Sequence, residues 1–253
     1  MKIVAFVSPK GGAGKTTSAL LLALGLHDLG LRVAMIDADP NKPLVHWASL
    51  PKRPERITVH AAPTEADIPD ALREAKAKSP DWMIVDTEGS LRAGIAFAAT
   101  APDMVITPLA ASAIEAHQAL KAAELVDAAS RRLRRKVLHA CLLTRLPAAV
   151  RPRSLRQVVA QLREGGVAIL PTALIEKEVF RLLFAYGGGL TDLEQTGAPG
   201  VTAARLNAQA YVAAVIDMVE GRPADPPAPG TSWNPAERRP EVAAPQPHSP
   251  LRS

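Results

Sequence analysis

The stretch "SPKGGAGKTT", residues 8–17, constrains this chain more than any other. An apolar β-branched run, "KIVAFV", precedes it and a long Ala/Leu-rich stretch, "SALLLALGLHDLG", follows. Strand, glycine turn and helix in that order build a phosphate cradle. Backbone N–H groups of Gly11, Gly12, Ala13, Gly14, Lys15, Thr16 and Thr17 point into the turn, and the helix N-terminus adds its positive end. In this pattern Lys15 places its ammonium against the β and γ phosphates. Thr16 gives its hydroxyl to Mg²⁺ and Thr17 gives its own to a phosphate. One position departs from the standard loop. The glycine expected five places before Gly14 is replaced by Pro9, and a second lysine, Lys10, stands beside the glycines.

The rest of the chain is patterned to carry such a loop. "RVAMIDA", "ITVHA", "WMIVDT", "MVITPL" and "KVLHACLLT" read as further strands, separated by helical stretches. That alternation predicts βαβ units and a mainly parallel, twisted sheet flanked by helices on both faces, an α/β fold. A final helix is predicted over about 200–220. From Arg222 the composition changes to nine prolines in 32 residues with few large apolar groups. The expected organisation is one domain over 1–221 and a disordered proline-rich tail over 222–253. The lone cysteine, Cys141, lies in an apolar run and reads as a buried core residue; it excludes a disulfide framework within the chain.

Two acidic strand ends complete the pattern. "AMIDADP" carries Asp37 and Asp39, two apart and so on one side of an extended chain, and "WMIVDTEG" carries Asp86 after four apolar residues. "KGGAGKTT", "IDADP" and "IVDTEG" resemble the deviant Walker A, Walker A′ and Walker B motifs of the ParA/MinD family of P-loop ATPases. "DADPNKPLVHW" with "DTEGS" is similar to its VirC-type branch, which serves T-DNA and conjugative transfer. The resemblance spans about residues 1–220 and implies a P-loop NTPase with ATP and Mg²⁺ as cofactors. It implies that Lys10, Lys15 and Asp39 are catalytic, with Asp39 orienting the attacking water, and that Thr16, Asp37 and Asp86 serve the metal and the switch. Lys10 would reach across a homodimer to the phosphates held by the other subunit, so that ATP becomes the joint between two chains. Slow hydrolysis, stimulated by a ParB-like or cargo-adaptor partner, would release it. After the Walker B aspartate this chain reads "DTEG" where many members read "DTP", and Glu88 is equally a switch residue or a solvated loop charge.

Charge placement separates the jobs this family performs. The net charge is +5, yet ten Lys or Arg and no Asp or Glu fall between Arg131 and Arg163. "RRLRRK" supplies Arg131, Arg132, Arg134, Arg135 and Lys136; Arg151, Arg153, Arg156 and Arg163 follow, the last two seven apart and so on one helix face. With few aromatics nearby, this window predicts sequence-independent contacts to DNA phosphates. Arginines at a helix end also complement its dipole, and that plainer role stays open. An Fe–S reductase of the same fold would need two cysteines per subunit. A MinD-type membrane anchor would need a basic amphipathic C-terminal helix, which the prolines forbid, so no stable membrane anchor is expected. The loop begins within ten residues of the first residue, leaving no room upstream for a helix-turn-helix reader of a specific site. The expectation is a cytoplasmic, nucleoid-associated ATPase whose ATP-dependent sandwich dimer binds DNA non-specifically. It would position or segregate a cargo, either a partitioning plasmid or chromosome or a DNA-transfer complex. The alternative is a MinD-like or protein-cluster positioning ATPase that acts on a membrane or protein assembly without DNA.

Overall fold

The computed structural model describes residues 1–88, 101–147 and 154–222. The predicted tail, Arg151 and Arg153 lie outside the described residues, apart from Arg222 itself. Seven parallel strands form one sheet in the order β3-β2-β4-β1-β5-β6-β7. They are β1 (Lys2–Phe6), β2 (Val33–Ala38), β3 (Ile57–Ala61), β4 (Trp82–Thr87), β5 (Met104–Leu109), β6 (Leu138–Leu143) and β7 (Ala168–Ile169). The expected parallel α/β fold is what forms.

Alternation along each strand divides the core between the two faces of the sheet. In β1, Val4 and Phe6 face one side and Ile3 and Ala5 the other. On the first side pack α1 (Lys15–Asp28), α2 (Pro43–Ser49), α6 (Glu178–Tyr186), α7 (Leu190–Glu194) and α8 (Val201–Glu220). On the second lie α3 (Ile68–Ala77), α4 (Ala113–Leu133) and α5 (Ser154–Glu164). Both β1 and β4 are buried almost throughout, as covering from both faces requires.

Helix α1 is the spine of the site. It is buried nearly all round, from Ser18 to Leu26, because α8 covers the side that the sheet does not. The two helices approach closely at Gly25, where an added Cβ would lie 2.4 Å from a Val212 methyl. Gly25→Ala is therefore expected to lower stability by about 1–3 kcal/mol through overpacking, despite alanine's better helix propensity. A denaturant midpoint at unchanged slope would measure it; a stabilised variant would contradict the packing. The helix closes through Gly30, whose φ of 82° is the left-handed conformation expected of a terminating glycine.

The segment "NKPLVHW" has a structural explanation that its sequence conceals. Trp47 of α2 is fully buried, and its indole N–H donates to the Gly188 carbonyl at 3.2 Å. Gly187 must be glycine there: its φ is 76°, and a Cβ would lie 2.6 Å from the Pro51 carbonyl oxygen. The loop that carries Asp39 is thereby tied to the end of α6.

Candidate nucleotide site

The phosphate loop leaves β1 at the C-terminal edge of the sheet, between β4 and β5. Connections run to opposite sides there, which opens a crevice. Gly12 (φ 76°) and Gly14 (φ 90°) both take the left-handed conformation, and Gly14 caps α1. The α1 N-terminus is acceptor-poor: Ser18 N–H bonds back to the Gly14 carbonyl, leaving the N–H groups of Lys15, Thr16 and Thr17 ahead of the first intrahelical bond. The loop is fastened from behind by β6. The Thr144 hydroxyl donates to the Ala13 carbonyl at 2.8 Å, and Arg145 Nη1 donates to the Gly12 carbonyl at 3.3 Å. A crevice of about 620 Å³ extends from this loop past Asp39, Asn41 and Glu88 to a wall that includes Ile175 and Phe180. That is ample for a nucleoside triphosphate.

The two lysines are placed differently. Lys15 is buried, and its Nζ donates to the Lys10 carbonyl at 3.1 Å, curling over the loop. Burial lowers its ammonium's pKa, opposed by the charges of Asp86, Asp39 and Glu88. Lys10 instead leaves the loop outward, half exposed, and pairs with Glu115 at 2.9 Å. One lysine serves the cradle of its own chain; the other stands on its rim.

Asp86 at the end of β4 is fully buried, and neither carboxylate oxygen has a hydrogen-bond partner among the described residues. Burial pushes its carboxyl up to about 7. The nearby Thr16 hydroxyl and Lys15 ammonium oppose this without completing a hydrogen bond to it, and Asp37 and Asp39 add repulsion. Two orphaned carboxylate oxygens facing a threonine hydroxyl suit a divalent cation completed by phosphates and water. No cluster of three metal-ligating His, Cys, Asp or Glu side chains exists among the described residues.

The Asp37 carboxylate is engaged by backbone. Oδ2 accepts from the Leu44 and Val45 N–H groups at 2.8 and 2.9 Å, and Oδ1 accepts from Asp39 N–H at 3.4 Å. Asp37 therefore fastens the start of α2. Asp39 lies on the crevice wall in a turn closed by Asn41, whose backbone and side-chain N–H groups both donate to its Oδ1. Glu88 is exposed and lines the same crevice.

The described members of the basic window sit on and just after α4 and along α5. Arg131 and Arg132 end α4, Arg134 caps it at φ 51°, and all three are exposed with Lys136 at the edge of the sheet away from the crevice. Arg135 is partly occupied, with Nη2 donating to Asp103 at 2.8 Å and to the Pro102 carbonyl at 3.0 Å. Arg156 and Arg163 are both exposed on α5, the first in its first turn and the second in its last. Arg181 is tied to Glu176 and Glu178, an ordinary charged helix face. Cys141 is buried in β6, and burial pushes its thiol up to about 12. No described helix is long and apolar enough to cross a membrane.

A deviant phosphate loop after β1, acidic ends on β2 and β4 and this strand order define a P-loop ATPase of the ParA/MinD type. The family model described as VirC1 protein matches residues 1–220, and on that match the chain belongs to the VirC1 family. Protein ParA of Rhizobium radiobacter is 32% identical over 216 residues, covering 85% of this chain and 96% of that protein. The maintenance of carboxysome distribution protein A of Halothiobacillus neapolitanus is 27% identical over 205 residues, covering 79% and 90%. Among solved structures, the septum site-determining protein MinD of Pyrococcus horikoshii complexed with Mg-ADP aligns at a TM-score of 0.61. It shares 18% identity and covers 86% of this chain and 98% of that one.

Proposed function

We propose that the chain is an ATP-hydrolysing switch whose ATP-bound form pairs with a second copy, binds DNA without sequence preference and positions a cargo. The observation that carries the reading is the division of labour between the lysines. Lys15 is curled into the cradle, whereas Lys10, on the same loop, stands at the exposed rim where a second chain would meet it. Thr16 and Asp86 would hold Mg²⁺, which supplies charge neutralisation of the phosphates. Asp39 on the crevice wall would orient water against the γ-phosphate. Catalysis is then positioning and charge stabilisation, and a partner that reshapes the Asp39 loop would speed it. Names of relatives such as ParA and carboxysome distribution protein A support a positioning role.

Light scattering tests the pairing. With ATP the wild-type mass should double, and with ADP it should not. Lys10→Ala should keep nucleotide binding and stay monomeric; a Lys10→Ala chain that pairs like wild type would sink this reading.

DNA contact would fall chiefly on Arg131, Arg132, Arg134 and Lys136. These lie at the far end of α4, about 30 Å along that helix from the crevice. Each phosphate contact contributes close to one unit to the slope of log affinity against log salt. Arg131/Arg132/Arg134→Ala should therefore reduce that slope by about 3 and weaken binding to every duplex alike. An unchanged slope would assign the cluster to a protein partner, as the non-DNA positioning alternative requires.

A further inference from the structure

Glu115 is an acid that the nucleotide chemistry does not use, yet it is one of the most committed side chains on the loop's rim. It occupies the first turn of α4, behind the cap in which its own N–H donates to Ser112 Oγ at 3.3 Å. Its side chain is only 9% exposed. Oε2 accepts the Ala110 N–H, fixing the carboxylate against the end of β5, and Oε1 accepts from Lys10 Nζ at 2.9 Å. Lys10 is its one cationic partner among the described residues, and that lysine is 54% exposed on its own account. The partnership is therefore asymmetric. Lys10 loses little by leaving, whereas Glu115 would be left as a nearly buried, unpaired charge, an outcome that is strongly unfavourable in proteins.

From this geometry we infer that Glu115 is a positioning residue that parks Lys10 within its own chain and sets the threshold for ATP-driven pairing. The inference rests on the proposed role of Lys10 toward a second copy. A lysine that must cross to the partner's phosphates has to give up Glu115 first, so the pairing-competent population is a fraction of the free chain, and apparent affinity falls by that fraction. The neighbouring side chain fits a face waiting for a second copy. Ile114 is 71% exposed beside the pair, an apolar group that a second chain would cover.

Glu115→Gln separates this holding role from a merely structural one. The amide keeps an oxygen to accept the Ala110 N–H but offers Lys10 no charge. Structural damage would weaken pairing, whereas release of the lysine strengthens it. The concentration midpoint of ATP-dependent dimerisation, read by analytical ultracentrifugation, should fall about tenfold in Glu115→Gln. A midpoint that is unchanged or higher overturns the inference, the second result meaning that Glu115 is a contact within the dimer. Lys10→Ala run alongside keeps the two levels apart. If that variant fails to pair while Glu115→Gln matches wild type, only the holding role falls; if Lys10→Ala pairs normally, the reading beneath it falls too. Should thermal melting show Glu115→Gln to be misfolded, amine labelling of the wild-type chain decides. Without nucleotide, Lys10 should react several-fold more slowly than exposed Lys76, and equal rates overturn the parking.

Discussion

Lys15→Ala should lower ATP affinity by at least about 30-fold and as much as several thousand-fold, the range for truncating one partner of a desolvated charge pair (about 2–5 kcal/mol). The expectation is this large because Lys15 is held in a place from which it cannot be replaced. It is buried, its Nζ is braced by the Lys10 carbonyl, and three carboxylates, Asp86, Asp39 and Glu88, lie close enough to raise its proton affinity against the effect of burial. Without the ammonium, triphosphate would meet a crevice walled by those carboxylates with no side-chain cation held inside the loop itself. Calorimetry with ATP measures the loss. An affinity within a few-fold of wild type would mean that the loop amides bind the phosphates unaided, and that Lys15 acts later in the cycle.

Asp86→Asn should move stability and activity in opposite directions. In the metal-free chain the Asp86 carboxyl is pushed up to about 7, against an ordinary value of 3.8. The folded state therefore binds the proton more tightly than the unfolded state does. As pH rises from about 4 to about 7 the unfolded state sheds its proton first, and this group's contribution to stability falls; above 7 the penalty is fully present. Removing the charge should raise stability less near pH 5, where the penalty is only partly developed, than at higher pH. At pH 8 without metal it should raise stability by about 2–4 kcal/mol, an upper range because Lys15 and a relaxing site offset part of the penalty. Hydrolysis should meanwhile fall by about 100-fold or more, the scale of losing one group that organises transition-state charge. Thermal melts at the two pH values with chelator, beside steady-state phosphate release, read both effects. A variant less stable than wild type at pH 8 would show that the Asp86 oxygens are already satisfied in solution. The residue is the familiar compromise in which a site stores instability for function.

What was legible in the sequence was whatever is written locally. The strand–loop–helix order fixed the cradle, two-residue spacing and apolar runs fixed the strand ends, and the terminating glycine fixed the end of α1. The two lysines were visible as a departure from a pattern, and their geometry follows from the loop. What stayed hidden depends on residues far apart in the chain. Thr144 fastens the loop from β6, 131 positions away, and Trp47 reaches the Gly188 carbonyl across 141 positions; neither leaves a local trace. Asp37 and Asp39 look alike as strand-end acids, and only the turn into α2 shows that one is taken by the Leu44 and Val45 amides. Glu115 reads as an ordinary first-turn acid of a helix, and the serine-x-x-glutamate spacing at Ser112 signals only a cap. The basic window is contiguous in sequence because the C-terminal end of α4 is followed in the chain by β6 and then α5. The described members sit on two helices, Arg131 and Arg132 in the last turn of α4 and Arg156 and Arg163 along α5.

The central claim, that nucleotide state at the crevice governs a charged surface about 30 Å away along α4, is tested most directly by DNA binding. The measurement is affinity for random-sequence duplex without nucleotide, with ADP and with ATP, across a salt series, for wild type, Lys15→Ala and Arg131/Arg132/Arg134→Ala. The account predicts tight binding with ATP alone, a steep loss with salt, no ATP-dependent binding in the lysine variant and a shallower slope in the arginine variant. Binding that is equally strong in all three nucleotide states, or a chain that pairs on ATP and ignores DNA throughout, would contradict it.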